Sequence, residues 1–108
     1  MNVQQLRYLV AVSDLGSVSA AARSLHVTQP AVSRSIRSFE VEHGVTVFSL
    51  SGRRLVPTEA GITVVDAARR ALAAIDAVEL EARAAGGQAE LLELLFGVAQ
   101  TFWPGIGT

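Results

Sequence analysis

Residues 25–48 read LHVTQPAVSRSIRSFEVEHGVTVF, and this stretch decides how the rest of the chain is understood. Thr28 stands where its hydroxyl can cap a helix. Pro30 falls in the first turn, where backbone N–H groups have no partner inside the helix. Val32, Ile36 and Phe39 recur at helical spacing and form an apolar stripe that needs a core behind it. Gln29, Ser33 and Arg37 are four apart, so they share a different face, with Pro30 and Arg34 beside them. Gly44 after His43 supplies the stop, because glycine readily takes the left-handed conformation that ends helices.

Working back toward the N-terminus, Asn2 and Gln5 have the three-residue spacing of a capping box. In that motif the Gln5 side chain would reach back to the Asn2 N–H. Val3, Leu6, Leu9, Val10 and Ser13 follow at helical spacing, and Gly16 ends the run. Ser17 caps a second helix with a stripe of Val18, Ala21, Ala22 and Leu25, whose paired alanines let a neighbouring helix approach closely. His26 and Val27 then make a tight turn. Two short helices joined this way, the second showing polar and basic side chains, describe a DNA-reading helix-turn-helix.

Working forward, Val45 to Leu50 and Arg53 to Pro57 are two strand-like runs around Ser51-Gly52, the form of a β-hairpin. Thr58 caps a long helix. From Ile62 to Ala85 nothing breaks it, and alanine, the best helix former, dominates. Ile62, Val65, Ala68, Leu72, Ile75, Val78 and Ala82 fall at steps of three or four, a seam that predicts a partner helix and dimerisation. At 1.5 Å per residue the run is about 40 Å long, more than a small winged domain can cover. Gly86-Gly87 is expected to end it. The predicted fold is mainly α: a winged helix-turn-helix of three helices and a two-stranded wing over residues 1–57, then a linker and dimerisation helix over 58–86. Residues 87–108 are read as a tail or the truncated start of an effector domain.

Composition sets the outer bounds. Half the residues are hydrophobic and 18% are charged, which is a globular balance. The net charge of −1 does not by itself favour a nucleic-acid partner. Its distribution does. Residues 1–60 carry six arginines against four acids, a balance of +2, and residues 61–108 carry three against six, a balance of −3. No acid lies between Asp14 and Glu40, so the third helix meets phosphate without local repulsion. Gln can pair bidentately with adenine, Arg with guanine, and Ser with several base edges or a phosphate. Against an enzyme, the chain lacks cysteine and lysine, and its two histidines are far apart with no paired carboxylates. No metal or cofactor is expected. Gly105-Ile106-Gly107 lacks the following helix a phosphate loop needs. The start, MNVQQLRYLVAV, has no secretory pattern, and the longest uncharged run, from Leu94, is broken by Gly97 and Pro104 and falls short of the ~20 apolar residues of a membrane span. A cytoplasmic protein with no membrane partner is expected.

The run Thr28-Gln29-Pro30-Ala31-Val32-Ser33-Arg34, in register with LRYLVAVSDLGSVSAAARSL (6–25) before it and SGRRLVPTEAG (51–61) after it, resembles the N-terminal segment of LysR-type transcription regulators over roughly residues 2–86. The resemblance implies that Gln29, Pro30, Ser33 and Arg34 read bases or nearby backbone. It implies that Thr28 lies near phosphate, that Arg53 approaches the minor groove, and that the long helix builds the dimer. Arg37, on the face shared with Gln29 and Ser33, and Arg54, beside Arg53 in the hairpin, are read as further contacts to the backbone or minor groove. It implies operator DNA as the partner of a homodimer or higher oligomer. Two positions depart from the family pattern: Leu50 stands where arginine is usual, and Val47 where leucine is usual. LLFGVA (94–99) resembles the first strand of the family's effector domain, whose small-molecule site is not expected on this chain. A second reading keeps the fold but makes the chain an interaction protein forming mixed dimers with full-length relatives. Arg69 and Arg70 would there face Glu79 and Glu81.

Overall fold

The computed structural model describes residues 1–102, so the expectation for Gly105-Ile106-Gly107 lies outside the described residues. Helix α1 spans Val3–Leu15, α2 Val18–Ser24 and α3 Gln29–His43. Strands β1 (Phe48–Ser51) and β2 (Arg54–Pro57) follow, then helix α4 (Glu59–Phe102).

The caps read from the sequence are made. Asn2 Oδ1 accepts from the Gln5 N–H at 2.8 Å, Ser17 Oγ from Ala20 at 3.2 Å and Thr28 Oγ1 from Ala31 at 3.3 Å. The second half of the expected capping box is not made, because the Gln5 side chain points into the core and donates to the Ser35 carbonyl instead. Gly16 closes α1 with φ +68, and Arg54 lies over it so tightly that a Cβ there would stand 2.6 Å from Arg54 Cγ. The positive φ is what calls for glycine, because the Arg54 side chain is flexible and can shift aside. The turn between α2 and α3 closes on His26, which takes φ +57 without being glycine. The His26 N–H donates to the Arg23 carbonyl and the Val27 N–H to the Ala22 carbonyl, the paired bonds of a Schellman termination.

The strands are shorter than the sequence implies. Val45 and Val47 were expected in the first strand, but their backbones bond elsewhere. The Val45 N–H donates to the Glu40 carbonyl at 3.0 Å, and the Val47 N–H to Glu40 Oε2 at 2.7 Å. The Val47 carbonyl accepts from the Thr58 N–H at 2.8 Å. Those groups tie the end of α3 to the start of α4 and leave only Phe48↔Pro57 to Ser51↔Arg54 for the antiparallel ladder.

Two compact units result, Met1–Ala73 and a second beginning at Ala74. The first is a winged helix-turn-helix whose core holds Leu9, Val12, Val32 and Val47 fully buried, with Ala21, Ala22 and Phe39 packed around them. Each fully buried Leu or Val side chain contributes about 1.5–3 kcal/mol. The opening turns of α4 belong to this unit, because Val65 and Ala68 are buried in the same core and Leu72 packs against it.

The second unit is the rest of α4, with its described side chains mostly exposed. Here one expectation is corrected. The helix does not stop at Gly86-Gly87 but runs through both, and LLFGVA (94–99), strand-like only by resemblance, lies in the same helix. A glycine in a helix interior costs only about 1 kcal/mol against alanine, and Ala84, Ala85, Gln88 and Glu90 on either side favour the helix. A lone strand would leave its backbone groups without partners, whereas a helix satisfies them within the segment.

Candidate nucleic-acid interface

Helix α3 presents two opposed faces. Val32, Ile36 and Phe39 are buried, and Gln29, Pro30, Ser33, Arg34 and Arg37 are exposed. Thr28, capping the helix, is exposed beside them. The buried trio anchors the helix to α1 and α2, so the polar group projects from a fixed rod rather than a loop. Arg34 is exposed but partly committed, since its Nε donates to the Pro30 carbonyl at 3.3 Å. A groove of about 290 Å³ beside the helix is lined by Ser33, Arg37 and Glu40 on one side and Val18, Phe48 and Leu55 on the other.

The acids that bracket this face are both engaged. Glu40 accepts from the Val47 N–H. Asp14 forms a two-point ion pair with Arg69 of α4 through both terminal nitrogens of the guanidinium. The hydrogen bonds from Arg69 hold the Asp14 carboxyl below the usual carboxylate range. Partial burial opposes that shift and the arginine's charge adds to it. The same contact raises the Arg69 guanidinium. Arg69 is thus paired within its own chain.

The two wing arginines are placed differently. Arg53 sits in the turn between the strands and is exposed. Arg54 folds back over Gly16 and donates to the Asp14 carbonyl at 3.4 Å, so it holds the wing to the end of α1. Leu50, where the resemblance had led one to look for arginine, is 72% exposed on the wing.

The expected dimer seam divides. Ile62 and Val78 are exposed, as is Ala82, and Ile75 is half-buried. Val65 and Ala68 are buried in the chain's own core, and Leu72 is partly buried against it. An open apolar groove of about 220 Å³ lies between Val64, Ala67, Ala68 and Ala71 of α4 and Met1, Leu6 and Phe39, so it shares Ala68 with the expected seam. Val64, Ala67 and Ala71 also repeat at three and four, so periodicity was present for them, but nothing local tells which of two adjacent stripes faces inward. Among the described residues no cluster of His, Asp and Glu is placed to hold a metal ion, and no helix is long and apolar enough to cross a membrane.

Residues 3–62 match the family described as bacterial regulatory helix-turn-helix protein, lysR family. The chain belongs to that family. Among its relatives, the HTH-type transcriptional regulator ClcR of Pseudomonas putida is 39% identical over 99 residues, covering 90% of this chain and 34% of ClcR. Such relatives are transcriptional regulators and not enzymes. The lysR-family chain described here spans about a third of the length of the curated relatives it matches. Among solved structures, the CbnR DNA-binding domain in complex with DNA superposes with a TM-score of 0.73 at 36% identity, covering 80% of this chain and 99% of that one. The BenM DNA-binding domain bound to catB site 1 DNA gives 0.73 at 32% identity, covering 79% and 96%.

Proposed function

We propose that this lysR-family chain reads operator DNA as a dimer, with α3 in the major groove and Arg53 at the adjacent minor groove, and so regulates transcription. The observation that carries the reading is the division of α3. Gln29, Pro30, Ser33 and Arg34 face outward for base edges, while Val32, Ile36 and Phe39 hold the helix from behind. Thr28, Arg37 and the wing serve the sugar-phosphate backbone. Two relatives of the same fold carry DNA in their structures.

Charge supports this assignment. The unit Met1–Ala73 holds eight arginines against five acids, a balance of +3, and the chain from Ala74 on holds one against five, a balance of −4. The first attracts a polyanion and the second does not. The dimer uses the open groove at Val64, Ala67 and Ala71 together with Ile62, Ile75, Val78 and Ala82, and places two reading helices one or more helical turns apart, each turn roughly 34–36 Å. A partner of this kind puts the chain in the cytoplasm.

The test starts from duplexes selected out of a random pool by the chain itself, followed by gel shifts. Gln29→Ala and Ser33→Ala are each expected to weaken the selected duplex by about 1–3 kcal/mol and to relax preference at one base position. If both variants discriminate among sequences as the parent does, α3 is not the reading element. Mixed dimers with longer relatives are the second reading, favoured by the apolar groove that one chain leaves open. Native mass spectrometry of this chain mixed with a full-length relative decides it, since exclusive homodimers end that idea.

A further inference from the structure

We propose that Gln5 is a positioning residue for sequence reading: its buried amide sets the register of α3 against the body of the domain. The inference rests on α3 being the reading helix. Gln5 is the buried polar side chain of the core, 6% exposed, and its Nε2 donates to the backbone carbonyl of Ser35 at 2.6 Å across thirty residues of sequence. The orientation of the amide is dictated, because the opposite one would set two acceptor oxygens against each other. Its Oε1 is buried without a hydrogen-bond partner, so the side chain accepts a polar burial penalty while making this one bond.

A leucine at this place would bury as much surface without that penalty, so the amide must supply something that apolar packing does not. The side chains that α3 buries in the core are Val32, Ile36 and Phe39. Such contacts are non-directional and tolerate small slides and rolls of the helix. A hydrogen bond has narrow distance and angle limits, so it fixes position along the helix axis. Ser35 lies between Ser33, Arg34 and Arg37, and bidentate readout from those positions tolerates errors of only about 0.5 Å. The bond that the Val47 N–H donates to Glu40 fixes the far end of the helix and the wing, outside the base-reading half.

Gln5→Leu and Gln5→Met remove the donor while keeping bulk. Affinity is measured for the duplex selected by the parent chain and for a shuffled duplex of the same composition. The expected result is an affinity for shuffled DNA within about twofold of the parent, and a ratio of selected to shuffled affinity reduced at least fivefold. Partial unfolding lowers both affinities by the same factor, so it leaves the ratio unmoved and cannot imitate the effect. A ratio unchanged in both variants overturns the role assigned to Gln5. A parent chain that shows no preference for any selected duplex instead overturns the proposed function.

Discussion

The carbonyl oxygen of Val47 lies 1.9 Å from where a side-chain carbon on Gly61 would stand. Helix α4 therefore rests its first turn directly on the backbone that leads into the wing. Thr58 completes the joint. Its hydroxyl donates to the Thr46 carbonyl at 2.5 Å and accepts from the Gly61 N–H at 2.9 Å. The obstructing atoms are main chain and cannot rotate aside, so Gly61→Ala must push α4 and the wing apart. Overpacking of this sort typically costs about 1–3 kcal/mol, and the rigid partner places it at the upper end. A urea midpoint equal to the parent's would show that the two backbones are not in contact.

The Asp14–Arg69 pair joins α1 to α4 at the surface, with side chains 50% and 45% exposed. Exposed pairs contribute about 0–1 kcal/mol, and Asp14 also sits in the last turn of α1, where the helix dipole disfavours a negative charge. Removing the cation should therefore do more harm than removing the acid. Arg69→Met is expected to cost roughly 0.5–1 kcal/mol at low salt, and Asp14→Asn less. Because the folded carboxyl titrates below its ordinary value of 3.8, the pair's contribution is present above that value and is lost as pH falls through the depressed one. Denaturation midpoints of parent and Arg69→Met should converge there, and also in 1 M salt. A gap that persists at low pH would place the effect in packing.

Two adjacent arginines of the wing should separate in function. Arg53 is free in the turn, whereas Arg54 lies over Gly16 and donates to the Asp14 carbonyl. Arg53→Ala is expected to reduce the slope of log affinity against log salt by about one. Arg54→Ala is expected to leave that slope alone and to lower stability by about 0.5–1 kcal/mol, through the lost cover of its aliphatic stem and its bond. Binding titrations at several salt concentrations, run beside thermal melts, distinguish the two. Equal slopes for both variants would refute the division.

What the sequence disclosed here follows the range of the interactions involved. Caps are local, so Asn2, Ser17, Thr28, Gly16 and Gly44 were legible from spacing alone. The face of α3 was legible for the same reason, since one period separates Val32, Ile36 and Phe39 from Gln29, Ser33 and Arg37. Tertiary demands were not. Gln5 satisfied a local motif on paper, but its side chain bonds to a residue thirty positions away. The stripe through Val65 and Ala68 was visible, but its partner was this chain's own core. Gly61 looked like any early helix residue, and only the approach of Val47 makes it obligatory.

Gly86 and Gly87 show the limit of punctuation as a guide, and they make a prediction of their own. Both lie inside α4, with open space around the position a Cβ would take and without a positive φ. Alanine therefore meets no obstacle at either site and adds about 1 kcal/mol of helix propensity each. The double variant Gly86→Ala/Gly87→Ala should raise ellipticity at 222 nm and slow amide exchange across 84–90, where the parent pair makes the helix easiest to open. Neither glycine lies near α3 or the wing in sequence, and both belong to the second compact unit, so affinity for the selected duplex should change by less than twofold. Faster or unchanged exchange across 84–90 would mean that the glycines interrupt the helix, as a reading of the sequence alone would have it.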